Sequence, residues 1–373
     1  MSDKKKLQSG RRLVVKIGSA MLVDQERGTV YHSWLEALAD DIADFRKRGQ
    51  EVIIVSSGAI AVGRRHLDLP SGPLKLEDNQ AAAATGMVRL AHAYQEVLAY
   101  RDMTVAQVLL TLDDSENRRR YINARNTLEA LLRLGAVPLI NENDTVATDE
   151  IRFGDNDRLA AQVAAMISAD ILVLLSDIDG LYTADPRVDA NAAIIPEVTE
   201  ITPEIEAMAG EAPQGDSIGG MVTKLEAAKV CLANGCRMVI ADGTDPHPLK
   251  RIEQGTPATW FLPSATPKTA RKRWIAGVLR PAGAVVLDAG AEKALGTGKS
   301  LLPAGVVAIE GDFQRGDAVV VKAADGRELG RGLSAYSAED ARRIMGYKTS
   351  EIEALLGYRG RDEMIHRDDL ALG

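Results

Sequence analysis

The chain predicts an α/β fold, a mostly parallel sheet covered on both faces by helices, followed by a smaller β-rich domain. Three observations predict it. Short runs rich in Val, Ile and Leu alternate with longer amphipathic runs over the first 260 residues. Those apolar runs are nearly continuous rather than alternating, the pattern of strands buried on both faces. After residue 262 the texture changes to short strand-like pieces at close spacing with turn signals between them.

Each element follows from its own residues. Residues 1–10 are basic with no apolar stretch behind them, so a disordered leader is expected rather than a signal peptide. Leu13-Val14-Val15-Lys16-Ile17 reads as the first strand. Trp34, Leu35, Leu38, Ile42 and Phe45 then fall on one helical face, and Gly49 supplies a C-terminal stop. Residues 51–55 form a second strand that runs into Ser56-Ser57-Gly58. Residues 78–100 read as a long helix, 105–110 as a strand, 117–134 as a helix and 136–140 as a strand. A polar loop over 141–157 leads into a helix over 158–168 and a strand over 171–175. Residues 221–233 are a helix and 237–241 a strand, which closes a first domain over 11–262. Pro263, Pro267 and Arg271-Lys272-Arg273 mark a linker over 263–275. The second domain, 276–373, carries strands near 285–287, 306–309 and 316–321, with a turn at Asp325-Gly326.

Bulk properties exclude several classes. The 373 residues are 46% apolar, enough for a sizeable core. A net charge of −8 makes a poor general partner for nucleic acid or an anionic membrane. Cys231 and Cys236 are too few for a disulfide scaffold or a four-ligand zinc site, and they suit a reducing cytoplasm. The longest strongly apolar run, 171–175, falls far short of the roughly 18 residues that span a bilayer.

The loop over 141–157 is the most informative stretch. It holds six carboxylates (Glu142, Asp144, Asp149, Glu150, Asp155, Asp157) against one cation, Arg152. It follows a strand, where open α/β sheets bind ligands. A calcium loop of the EF-hand kind needs Gly at its sixth position. Counted from Asn141 or Asp155, that position holds Val146 or Ala160, so the loop suits a charged organic substrate whose ammonium meets Asp144. Lys16 ends the first strand just before Gly18-Ser19, where an ammonium can meet an anion; the bland reading is a lysine reaching for solvent. Residues 215–224 form a glycine-rich loop opening a helix, a phosphate-binding arrangement when the helix N-terminus is free, with Lys224 one turn inside. The five histidines are scattered and suggest no Ser-His-Asp arrangement, and Arg118-Arg119-Arg120 reads as a solvated helix face.

These pieces together resemble the amino acid kinase family. The resemblance rests on Lys16-Ile17-Gly18-Ser19, Ser57-Gly58-Ala59-Ile60, residues 141–147, Phe153-Gly154-Asp155-Asn156-Asp157, Ser176-Asp177-Ile178-Asp179-Gly180-Leu181-Tyr182 and Gly219-Gly220-Met221 with Lys224. It implies a three-layer α/β/α sandwich, and the C-terminal part is similar to the PUA domain. Within the family, the Asn-Glu-Asn-Asp and Gly-Asp-Asn-Asp runs with a PUA tail resemble the branch that phosphorylates the γ-carboxylate of L-glutamate at the start of proline synthesis. The resemblance implies that Lys16 and Lys224 flank the transferring phosphoryl group and that Asp157 holds both lysines. It implies glutamate contacts from Ser57, Asp144 and Asn156. It implies ATP contacts from Lys16, Ser176, Asp177, Ile218, Gly219, Gly220, Met221, Val222, Thr223 and Lys224. Mg2+ would come with the nucleotide, L-proline would act as a feedback inhibitor, and the chain would form a homodimer or tetramer. The family loop usually reads Gly-Thr-Gly-Gly-Met; here Ser217-Ile218 precedes Gly219-Gly220-Met221, so a hydroxyl beside the phosphates is missing at Ile218.

Two alternatives stand beside this reading. Another member of the family would share the lysines but take aspartate, N-acetylglutamate or UMP as acceptor. A PUA-type RNA-binding protein would show a basic footprint, whereas residues 276–373 hold 13 Lys and Arg against 15 Asp and Glu.

Overall fold

A computed structural model describes all residues except 1, 25–26, 147–155, 210–219 and 278–280. The chain forms two compact bodies, one of residues 1–116 and 123–267, the other of residues 268–373 with 117–122.

The first body is built on an eight-stranded sheet. Its strands are β1 (Arg12–Ile17), β4 (Glu51–Ser56), β5 (Val105–Leu110), β6 (Val137–Glu142), β7 (Ile171–Ser176), β8 (Glu197–Val198), β9 (Arg237–Asp242) and β10 (Ala258–Phe261); β2 (Val23–Asp24) and β3 (Thr29–Val30) make a separate ribbon. The spatial order is β5-β6-β4-β1-β7-β9-β10-β8, and every neighbouring pair is parallel except β9 with β10. The helices of this body are α1 (Asp3–Gln8), α2 (Ser19–Leu22), α3 (His32–Lys47), α4 (Ala59–His66), α5 (Leu76–Ala99), α6 (Leu112–Glu116), α7 (Arg118–Arg133, counted in this body from residue 123), α8 (Asn156–Met166), α9 (Pro203–Met208), α10 (Met221–Ala233) and α11 (Pro248–Glu253).

The sheet sorts its side chains by strand alternation. Leu13, Val15 and Ile17 of β1 join Val52, Ile54, Val173 and Leu175 in one core with the apolar stripes of α3 and α5. Val14 and Lys16 therefore face the opposite side, where α8 lies across β1, β4, β6 and β7. Helices on both faces give three layers, as the near-continuous apolar strands predict.

Helices α4 and α5 cross without room for side chains. A Cβ on Gly63 would lie 1.8 Å from the Ala82 carbonyl oxygen, and one on Gly86 would lie 1.8 Å from that of Ala59. The backbones touch, which anchors α4 immediately after Ser57 and Gly58.

Two expectations are corrected here. Residues 3–8, expected within a disordered leader, are helical. Leu7 is fully buried, and the buried Lys6 ammonium pairs with Glu197 at 2.6 Å and lies 5.0 Å above the Trp260 ring. One apolar side chain and one well-satisfied cation thus anchor a segment whose composition reads as disordered. The second correction concerns the 141–157 loop. Asn141 and Glu142 belong to β6, paired with Leu109 and Leu110 of β5, and Asn156 and Asp157 already belong to α8.

The second body holds a five-stranded sheet, β12 (Val306–Gly311), β11 (Gly283–Leu287), β13 (Ala318–Ala323), β14 (Glu328–Leu333) and β15 (Leu370–Leu372), in that order. It has its own core, including Val285, Leu301, Phe313, Val319, Tyr336 and Ile365. The stretch expected as a linker carries helix α12 (Pro267–Ala276), whose Ile275 packs on Ala318, Leu333 and Ala371.

Candidate active site

Strands β6, β4, β1, β7 and β9 run parallel, so their C-terminal ends share one edge of the sheet. That edge receives Asp144 after β6, Ser57 after β4, Lys16 near the end of β1, and Ser176 and Asp177 at the end of β7. Sequence spacing cannot bring these together; the common strand direction does.

The innermost group is Asp157, 2% exposed in the first turn of α8. Its Oδ1 lies 2.6 Å from the Lys16 ammonium, and its Oδ2 lies 3.2 Å from the Lys224 ammonium. Lys16 reaches it because strand alternation turns position 16 toward α8. Lys224 reaches it because α10 packs against α8 and holds position 224 one turn inside its N-terminus. The Thr223 hydroxyl stands 3.1 Å from Asp157 Oδ2 and 3.0 Å from the Gly220 carbonyl, and its one proton serves one of them at a time. Burial pushes the Asp157 carboxyl upward, but the two ammonium charges outweigh it and hold its pKa at about 2. The carboxylate is thus an ionised clamp at neutral pH, with both oxygens committed to lysines.

A second cluster adjoins it through Asn156. The Asn156 side-chain amide donates within 2.8 Å of the Ser56 carbonyl and of the Ser57 hydroxyl, and lies 3.2 Å from Asn141 Oδ1. Asn141 also accepts from the Glu142 backbone N–H at 2.9 Å, and its own amide donates to Met87 Sδ at 3.5 Å. Gly58, with φ at +97°, turns the chain sharply after Ser57 into α4. The buried Ser56 hydroxyl meets the Tyr94 hydroxyl at 3.0 Å, which fixes the end of β4 from below.

Asp144 is buried and has no hydrogen-bond or ion-pair partner among the described residues. Burial raises its pKa to about 6. A buried carboxylate without a partner is costly, and an incoming ammonium would remove that cost.

At the end of β7 the Ser176 hydroxyl donates to the exposed Asp177 carboxylate at 3.1 Å. Gly220 caps α10 in an extended conformation, and Met221 and Val222 lie half-buried in its first turn. Ser217, Ile218 and Gly219 lie outside the described residues, as do Asp149, Glu150, Arg152 and Asp155 of the acidic stretch. Among the described residues no group of three or more His, Cys, Asp or Glu side chains could hold a metal ion.

Asn141 is the residue that sequence reasoning missed. It appears in the acidic stretch only as part of a run, with nothing to separate it from Asn143. The signal is that Asn141 extends a buried strand, where a polar side chain needs a partner.

Known proteins resemble this chain in sequence. Residues 11–242 match the amino acid kinase family, and residues 283–356 match the PUA domain. The chain is 66% identical over 366 residues to a glutamate 5-kinase of Paramagnetospirillum magneticum, covering 98% of this chain and 99% of that one. It is 61% identical over 359 residues to a glutamate 5-kinase of Rhodospirillum rubrum, covering 96% of each chain. It is 58% identical over 369 residues to one of Agrobacterium fabrum, covering 99% of this chain and 95% of that one.

Proposed function

The chain belongs to the amino acid kinase family, and on that premise we propose that it transfers the γ-phosphoryl group of ATP to the γ-carboxylate of L-glutamate. The products are γ-glutamyl phosphate and ADP, at the first step of proline biosynthesis. The observation that carries this reading is one buried carboxylate, Asp157, holding two ammonium groups beside a cluster of amides and a hydroxyl.

The chemistry suits these residues. A γ-carboxylate has an ordinary pKa of about 4.3 and is already ionised at neutral pH, so no general base is required. The obstacle is repulsion between that anion and the phosphates, about 4 kcal/mol per unit charge pair at 4 Å with an effective dielectric near 20. Lys16 and Lys224 offset it by placing positive charge where negative charge gathers during transfer. Asp157 keeps both lysines extended and aligned, so little reorganisation is left for the reaction itself.

Asp144 would take the substrate ammonium, and Ser57 and Asn156 would bind its polar groups and aim the γ-carboxylate. Ser176, Asp177 and the 218–224 segment would hold the nucleotide, with α10's N-terminus facing phosphate. ATP would enter as its Mg2+ complex, and the ion would supply charge neutralisation at the phosphates; Asp157, with both oxygens on lysines, would hold Lys16 and Lys224 rather than the ion. The setting we propose is the cytoplasm, where the two unpaired cysteines stay reduced. We also propose L-proline as an inhibitor competing at the Asp144 cluster, and assembly into a homodimer or tetramer.

Hydroxylamine trapping tests the acceptor. With MgATP, L-glutamate should yield a hydroxamate, while aspartate and N-acetylglutamate should not; UMP, whose product would carry no acyl phosphate, is tested by ADP release and should give none. Hydroxamate from aspartate and none from glutamate would reassign the substrate.

A further inference from the structure

The basic run on α12 has no part in the active site, and the second body shows where it goes. Arg271 is structural: its guanidinium donates to the buried Asp369 carboxylate at 2.6 and 3.1 Å. The other cations open onto a cleft of about 380 Å3 lined by Lys268, Lys272, Arg273, Lys299 and Arg367, over an apolar floor that includes Leu295 and Leu370. Lys268 and Lys272 stand one turn apart on α12.

Charge in this cleft is not compensated. Asp368 is its single acidic lining residue, and it sits 3.8 Å from Lys268. Lys272, Arg273, Lys299 and Arg367 form no side-chain ion pair or hydrogen bond among the described residues. The chain as a whole carries a charge of −8, so five cations converging on one concavity is a local reversal of sign. Like charges held in a cleft repel one another and focus a field that favours a multivalent anion. Four of the five lie outside the stretch matched to the PUA domain, at 268, 272, 273 and 367.

We propose that this cleft is a second, non-catalytic site that binds a small multivalent phosphate. The volume lies in the range of small-molecule pockets. A nucleic-acid strand would call for a long basic track with stacking aromatics, whereas these five cations meet in one short cleft with none of the lining residues aromatic.

The test uses the full chain and inorganic tripolyphosphate as probe, followed by titration calorimetry. The native protein should bind it with salt-sensitive affinity at a stoichiometry that includes a site outside the kinase body. A Lys272→Glu/Arg367→Glu variant should lose that site, weakening its affinity by about tenfold or more through the lost charge-assisted contacts. Glutamate hydroxamate formation should be unchanged in that variant, and a circular-dichroism melt that keeps the native transitions shows that the second body, with its own core, still folds. The exposed Lys299→Glu serves as a second variant and should weaken the same site. Tripolyphosphate binding unaltered in both variants would overturn the proposal, since the probe would then occupy the active site alone. Binding of a 12-nucleotide single-stranded RNA more than tenfold tighter than tripolyphosphate, lost in the same variants, would also overturn it in favour of a nucleic-acid site.

Discussion

Asp157 joins two lysines that are 208 residues apart in sequence, Lys16 and Lys224. Replacing it by Asn leaves two nearly buried ammonium groups facing each other with no counter-charge. Breaking such a pair from one side costs about 3–5 kcal/mol, so Asp157→Asn should lower the urea midpoint and cut kcat together. A normal midpoint with normal kcat would remove the clamp role. Lys224→Ala should reduce kcat far more than it raises KM for glutamate if, as proposed, its charge acts in the transition state; the reverse split would make it a binding residue. Asp144 gives a pH signature. Its pKa is raised to about 6 from an ordinary 3.8, so between those values the folded state holds more protons than the unfolded one. The stability it contributes is present below pH 3.8 and lost as pH rises through 6, while the ionised form that would bind the substrate ammonium appears over the same window. In the free enzyme, kcat/KM for glutamate should therefore rise from pH 5 to 7 with an inflection near 6. Asp144→Asn should abolish the inflection and weaken glutamate while sparing ATP; an inflection that survives the substitution assigns it to another group.

At the level of elements, the site depends on how closely α4 meets α5. Gly63 and Gly86 let two carbonyl-bearing backbones touch, and α4 starts directly after the Ser57–Gly58 turn. Gly63→Ala should push the helices apart, at a cost of about 1–3 kcal/mol for overpacking, and raise KM for glutamate by shifting Ser57. Thermal unfolding and glutamate saturation curves measure both effects; a change in neither would show that the crossing can relax. Many strands and helices were readable from sequence: β5 and α10 fall where the pattern placed them, and β1, β4 and β7 within one residue, whereas α4, α11, β8 and β10 had no expectation. The edges of the acidic stretch were not. Asn141 and Glu142 look like loop because they are polar, yet β5 pairs with them and extends the strand. Helix α1 was missed because lysine-rich composition argues for solvent, whereas Leu7 and the Lys6–Glu197 pair supply contacts from far along the chain.

For the whole molecule, the kinase site draws all its described residues from the first body, and the second body has a core of its own. A chain ended after Pro267 should therefore keep hydroxamate formation within about an order of magnitude of the full chain, measured at saturating glutamate and ATP. Complete loss with the shortened chain still folded would tie the two bodies together functionally. No helix among the described residues is long and apolar enough to cross a membrane. The sequence by itself determined the layered α/β class, the change of texture after residue 262, the two lysines and the acidic stretch as the places to look. It could do so because buried strands, helix faces and charged loops leave local periodic and compositional traces. The tertiary structure alone decided that Asp157 sits between Lys16 and Lys224, that Asn141 orients Asn156, that Asp144 is buried without a partner among the described residues, and that the basic run of α12 meets Lys299 and Arg367 in a cleft. Those facts rest on strand direction, register and helix packing between segments far apart in sequence, and no local pattern records them.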